Sequence, residues 1–352
     1  MKTVGSRISL KSPAAIKRKM IRVEEEELVR TCEMRGGQLL PLAVEPRMEN
    51  MDLAGWVASH RDRICERLRT HGGILFRNFP VQIIEEFEKI ALALSGEMAE
   101  YTYRSTPRTQ IHNRIYTSTE YPPDQTIPMH NENSYASTWP MKIWFFCAQA
   151  PMHGGQTPIA DSRTVYKCMD PDVRERFASK KVMYVRNYIT GVDLPWQTVF
   201  QTQERTEVEA YCREAGMGWE WFEGDHLRTW QVRDAVARHP QTGEMVWFNQ
   251  AHLFHLSNLP KGLQESLLAT YGEENLPRQT RYGDGSPIGK EALEEVRRAF
   301  AEATIEFDWQ QGDVLLLDNM LAAHGRRPFQ GPRKILVAMA EPVNAKDLLP
   351  WG

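Results

Sequence analysis

The stretch Met129-His130-Asn131-Glu132-Asn133-Ser134-Tyr135 decides how this chain is read. In extended backbone, residues two apart point to the same face, so His130 and Glu132 can reach a common point. Imidazole plus carboxylate suits a divalent ion such as Fe(II) or Mn(II), and one further histidine completes a facial triad with open coordination positions. The candidate is His324, within Asn319-Met320-Leu321-Ala322-Ala323-His324-Gly325-Arg326. An isolated H-x-E is more often a plain surface or core pair, so its weight depends on its surroundings.

Two residues at fixed places around the triad fit one chemistry. Thr157 follows the Gly154-Gly155 turn, and Arg333 stands at the mouth of the last strand. A 2-oxoacid chelates iron through its keto oxygen and one carboxylate, and its distal carboxylate then needs neutralising. A guanidinium serves best, offering a rigid fork that stays charged. A threonine hydroxyl adds a donor to the same group. Taken singly, Thr157 could be a plain strand former and Arg333 a surface cation.

Composition bounds the rest. The chain has 352 residues, enough for one large domain or two, with 41% hydrophobic and 25% charged residues. A net charge of -3 gives no electrostatic case for nucleic acid or an acidic membrane. Five scattered cysteines with no C-x-x-C pair read as reduced thiols. The basic N-terminus lacks an apolar core, and no window reaches the roughly 18 apolar residues of a membrane span. A cytoplasmic protein is expected.

Residues 1 to about 50 read as a charged extension with a solvated acidic run, Glu24 to Glu27. The spacing of Trp56, Val57, His60, Ile64 and Leu68 predicts a helix ended by Gly72-Gly73, and Ile83 to Leu94 predicts another. Ile74–Phe76, Lys142–Gln149, Val182–Tyr188, Met245–Asn249, Val314–Leu317 and Lys334–Ala340 read as strands, and Lys290–Ala303 as a helix. The fold expected is mainly β with α: a double-stranded β-helix (jelly roll) flanked by helices. It would occupy residues 51–352 as a single domain, with a helical insertion at about 165–300 between the metal motifs.

The order His130-x-Glu132, Gly154-Gly155-x-Thr157, Gly312-Asp313, Asp318-Asn319, His324-Gly325-Arg326 and Gly331-Pro332-Arg333 resembles the Fe(II)/2-oxoglutarate oxygenases of the taurine dioxygenase superfamily. The likeness runs from Gly72 to the C-terminus. The stretches Met129–Tyr135 and Asn249-Gln250-Ala251-His252-Leu253-Phe254-His255 look most like the syringomycin-type aspartyl hydroxylase and clavaminate synthase-like branch. The resemblance implies iron ligands His130, Glu132 and His324, and a 2-oxoglutarate site at Thr157 and Arg333. It implies O2 as co-reactant, release of succinate and CO2, and hydroxylation at the β-carbon of an amino acid. That substrate would be free or held on a nonribosomal peptide carrier protein, in secondary-metabolite biosynthesis. Glu132, where many members have aspartate, supports an amino-acid substrate and argues against halogenation, since halogenating relatives lack this carboxylate. Lys334–Ala340 holds no second arginine, which counts against taurine.

Asn113, Arg114, Tyr116, Glu120, Asn133 and Tyr135 flank the first motif and are candidate substrate contacts, as is Arg326; each has an equal claim to a structural role. His252 and His255 share a helical spacing but lack a carboxylate partner, so a site-lining or structural role is open to them. The aromatic segment Trp219, Trp221, Phe222, Trp230 reads as insertion core. Desaturation or ring formation, another small carboxylate as substrate, and a non-enzymatic jelly-roll binding protein stay open as alternatives. Oligomeric state is not legible.

Overall fold

Thr138–Gln149 carries the apolar run predicted as a strand, and it lies inside a sheet whose two faces are both covered. That is why the run does not alternate with polar residues. In the computed structural model, which describes residues 28–34, 39–100, 103, 106 and 108–348, this sheet has eight strands. Their order is Val29–Glu33, Leu42–Pro46, Gly73–Phe76, Val314–Asp318, Thr138–Gln149, Lys334–Asn344, Ile115–Thr117 and Gln110–His112. All neighbours are antiparallel except Leu42–Pro46 with Gly73–Phe76.

One face packs Trp144, Phe146, Leu316 and Ile74 against the helices Leu53–Ser59, Arg61–His71 and Ile84–Ser95, through Trp56, Ile64, Leu68, Phe87 and Ile90. The first helical pattern is thus two helices, broken at His60, and Gly72 ends the second in the left-handed region at φ 74°. The other face sets Ile143, Phe145, Cys147, Leu315 and Val337 against a second sheet, ordered Thr304–Ile305, Ile159–Asp161, Ala322–Arg326 and Ile127–His130. Burying these apolar side chains, at about 25 cal/mol per Å2, joins the two sheets.

Two expectations need correction. The larger sheet takes strands from before residue 50, because Leu42–Pro46 pairs in register with Gly73–Phe76 and Val29–Glu33 with Leu42–Pro46. The acidic run Glu24–Glu27 lies outside the described residues. The insertion is mixed, not helical: it holds an antiparallel sheet of Gly218–Trp221, Leu227–Arg233, Val182–Asn187 and Arg278–Tyr282. The period-two burial of Leu227, Thr229 and Gln231 is the strand signal that outweighed the nearby helices. On this sheet Trp219 and Trp221 pack against the core, whereas Phe222 and Trp230 are exposed. No helix among the described residues is long and apolar enough to cross a membrane.

Candidate metal centre and its cavity

Ile127–His130 and Ala322–Arg326 are antiparallel neighbours, and their register places His130 directly opposite His324. Directly opposed residues bring their side chains together, and the two rings lie 4.4 Å apart between centroids. The chain leaves the strand after His130 through a loop with Asn133 at φ 56°, which turns Glu132 back toward the histidines. Asn319 holds that turn: its Oδ1 accepts from Glu132 N at 2.7 Å and its Nδ2 donates to Glu132 O at 2.8 Å. The result is a buried group in which donor atoms of His130, Glu132 and His324 all lie within 4.8 Å of one another.

The donor set fits a divalent transition metal. His130 Nδ1 donates to the Pro128 carbonyl at 2.9 Å, which leaves Nε2 for the site. Burial holds His130 below its usual protonation range, against the opposing pull of Glu132. Burial, with His130 and Arg108 nearby, holds His324 well below it. Both imidazoles are therefore neutral at pH 7, the form that ligates metal. His324 Nε2 faces Glu132 Oε2 at 3.9 Å, while its buried Nδ1 finds no hydrogen-bond partner among the described residues. Phe145 closes the site from the larger sheet, edge-on to His324 at 5.1 Å.

Thr157 and half-buried Arg333 also meet. Arg333 Nε donates to the Gly155 carbonyl at 3.0 Å, and its terminal nitrogen lies 3.5 Å from Thr157 Oγ1. Burial, then Arg326, pulls the Arg333 guanidinium down to about 10, which still leaves it charged at neutral pH. Trp309, unmarked by any sequence signal, donates its indole N–H to Thr157 Oγ1 at 3.0 Å.

A second residue without a sequence signal is Arg108, whose guanidinium donates to Glu132 Oε2 at 2.6 Å with both side chains buried. Arg108, Thr119, His130 and Glu132 line a cavity of about 1100 Å3, whose lining also includes Gly191, Val192, Asp193, Leu194, Leu253 and Leu256 of the insertion.

The remaining sequence candidates scatter. Asn113 and Arg114 are not brought to the site: they sit at the edge of the larger sheet, bonded to Glu88 at 2.6 Å and Glu97 at 2.7 Å. They belong to a hairpin whose turn faces helix Ile84–Ser95 and not the cavity. Glu120 accepts from Thr109 and Thr117, which holds its carboxyl below the usual range. Tyr116 lies in the core between the sheets, opposite Val337. Asn133 and Tyr135 are buried beneath the metal loop, with Tyr135 edge-on to Phe254. Arg326 is committed to the carbonyls of Tyr121 and Gln125, both at 2.8 Å. His252 Nε2 donates to the Met129 carbonyl at 2.9 Å and so buttresses the strand carrying His130. His255 lines the cavity and accepts from Ser257 N through Nδ1.

Comparison with known proteins agrees with this geometry. Residues 37–339 match the family described as taurine catabolism dioxygenase TauD, TfdA family. The chain is 42% identical over 280 residues to the dapdiamide synthesis protein DdaC of Enterobacter agglomerans, covering 80% of this chain and 85% of that one. It is 31% identical over 291 residues to a clavaminate synthase-like protein of Arabidopsis thaliana, covering 78% and 83%. In fold it is similar to the crystal structure of PvcB from Pseudomonas aeruginosa, with a TM-score of 0.56 at 16% identity, covering 94% and 99%. The reading as a non-enzymatic binding protein falls away with this membership. The chain belongs to the TauD, TfdA dioxygenase family and is an iron- and 2-oxoglutarate-dependent oxygenase.

Proposed function

We propose that this oxygenase hydroxylates an unactivated C–H bond, at the β-carbon, of an amino acid in secondary-metabolite biosynthesis. The substrate would be free or tethered to a peptidyl carrier protein. The two-sheet core is read as a double-stranded β-helix, with His130, Glu132 and His324 as iron ligands and Thr157 and Arg333 as the clamp on the distal carboxylate of 2-oxoglutarate. The observation carrying this reading is the convergence of two neutral imidazoles and a carboxylate, with His130 and Glu132 in the wall of a large cavity. Bound there, Fe(II) and 2-oxoglutarate supply the oxidising chemistry, with release of succinate and CO2.

The protein's own groups orient and shield. On the strand Thr138–Gln149, Phe145 touches His324 while Cys147, two residues on along the same face, lies in the electrostatic reach of Arg333. Phe145, Phe307 and Trp309 keep this interior apolar. Glu132 fills the position that halide would need, so hydroxylation is favoured over halogenation. The amino-acid class is supported by Glu132 and by the likeness to DdaC, whose name places it in dapdiamide synthesis.

A succinate-release screen over amino acids, free and loaded on carrier proteins, tests the substrate. Anaerobic titration with Fe(II) and 2-oxoglutarate tests the ligands through a visible charge-transfer band. Absence of that band in wild type, or its survival in the double variant Glu132→Ala, His324→Ala, sinks the assignment.

A further inference from the structure

Gln250 belongs to the cavity wall and holds the metal loop at the same time. Its Nε2 donates at 2.6 Å to the carbonyl of Asn131, the residue between His130 and Glu132. Asn131 is itself fixed, donating from Nδ2 to the Asn319 carbonyl at 2.7 Å and to Ser162 Oγ at 3.1 Å. The Gln250 backbone is equally committed. Its N–H donates to the Tyr184 hydroxyl oxygen at 2.8 Å, and its carbonyl accepts from Leu253 N and Phe254 N. The side chain is buried and has one orientation open to it, because the Asn131 carbonyl only accepts and so must face the NH2 end. The other end, Oε1, accepts from no group among the described residues, and it is not sealed off from the cavity that Gln250 lines.

A carbonyl oxygen in a largely dry wall is costly until a donor meets it. In an amino acid that donor is the nitrogen, and the rest of the wall limits its charge. Among the described lining residues the carboxylates are Glu132 and Asp193. Glu132 takes Arg108 at 2.6 Å, while Asp193 takes Arg278 at 2.7 Å and Arg186 at 3.1 Å. Neither is left to balance an ammonium group, and a neutral amide oxygen alone compensates a desolvated ammonium poorly. An amide N–H brings the same donor without the charge. The cavity, at about 1100 Å3, is also lined by Leu253, Leu256, Leu259 and Leu263, which suit an acyl chain.

We propose that Gln250 is a substrate-binding residue whose Oε1 accepts the amide N–H of an N-acylated amino acid. The inference rests on the amino-acid reading of the same site and narrows it from a free zwitterion to an acyl amide. The nitrogen of an amino acid stands two bonds from its β-carbon. Holding that nitrogen on the side chain that braces Asn131 therefore keeps the β-carbon close to the metal loop.

The probes are N-octanoylglycine, which has the amide N–H, O-octanoylglycolic acid, in which oxygen replaces that N–H without added bulk, and N-octylglycine, whose nitrogen is an ammonium. Each is titrated calorimetrically into protein loaded anaerobically with Fe(II) and 2-oxoglutarate. The amide is expected to bind at least about tenfold more tightly than the ester, since the ester sets a lone pair against Oε1. Gln250→Met keeps the unbranched shape and removes the acceptor, so it brings the two affinities within about twofold of each other. A merely structural role for Gln250 would weaken both probes and leave their ratio intact. Leu256→Ala, on the apolar wall, weakens both while keeping the ratio. The wild-type ratio needs no variant and decides the donor requirement even if Gln250→Met does not fold. Equal binding of amide and ester in wild type overturns the proposal, as does an unchanged ratio in Gln250→Met or binding of none of the three probes. Tightest binding by N-octylglycine also overturns it, by assigning the donor to an ammonium. These measurements need no turnover. A failed succinate screen beside a clear N–H requirement would sink the amino-acid hydroxylase reading and leave Gln250 in place.

Discussion

Arg108 grips the same carboxylate oxygen of Glu132 that faces His324, at 2.6 Å, with both partners almost wholly buried. Deleting one member of a buried pair leaves the other uncompensated, which costs roughly 3–5 kcal/mol. Arg108→Met is therefore expected to lower the melting temperature of the metal-free protein. A divalent cation supplies the missing charge, so the stabilisation on adding Mn(II) should be larger in the variant than in wild type. Thermal melts with and without Mn(II) measure this directly. An equal metal-induced shift in both proteins would mean that Arg108 does not balance the carboxylate.

Trp309 orients the Thr157 hydroxyl through its indole N–H. Trp309→Phe keeps the apolar packing and removes one hydrogen bond worth about 1 kcal/mol. The expected result is a KM for 2-oxoglutarate raised roughly fivefold with kcat little changed. Arg333→Gln should raise the same KM by roughly tenfold to a hundredfold, because it removes a charge-assisted pair. Steady-state kinetics in 2-oxoglutarate separate the two. An unchanged KM in Arg333→Gln would remove this residue from the cosubstrate site.

His252 is buried and neutral, and burial pulls its protonation down to about 3. The unfolded chain protonates this group near the ordinary value of about 6.5. Below that pH the unfolded state therefore binds the extra proton, and the stabilisation that His252 gives above it is lost as pH falls toward 3. Between pH 7 and pH 5 this one group should cost about 1–2 kcal/mol. Urea unfolding of wild type and His252→Gln over that range checks the sign. The wild type should lose stability faster, and parallel pH curves would contradict the assignment.

Gly154 has φ 70°, and a Cβ there would sit 2.3 Å from the Pro328 carbonyl oxygen. It pairs with Phe329 in the short ladder next to Gly155, whose carbonyl anchors Arg333. Gly154→Ala therefore has to move backbone, at a cost of order 1–3 kcal/mol or more. It should lower the melting temperature and weaken 2-oxoglutarate binding together. Gly243→Ala, with φ 72° and open space around the added carbon, controls for backbone strain alone. Equal effects of the two substitutions would show that the Pro328 contact is unimportant.

Much of the site was legible because its parts are local in sequence or marked by type. The H-x-E spacing, the paired glycines before Thr157 and the arginine at the last strand each announce a chemical need. Arg108, Trp309, Asp193 and Arg278 carry no such mark, because their partners lie 24 to 152 residues away along the chain or within unremarkable strand sequence. Asn113 and Arg114 erred the other way: nearness to the motif in sequence became a position at the opposite edge of the larger sheet.

The sequence by itself determined the chemistry, since residue type dictates which groups can hold a metal and a dicarboxylate, and it determined the long core strands, since burial on two faces writes a continuous apolar run. Only the tertiary structure decided which charges meet. The register of Ala322–Arg326 against Ile127–His130 sets His324 opposite His130. The fold also brings Arg108 onto Glu132 and Arg278 onto Asp193. Long-range pairing depends on strand register and loop path, which no local pattern encodes.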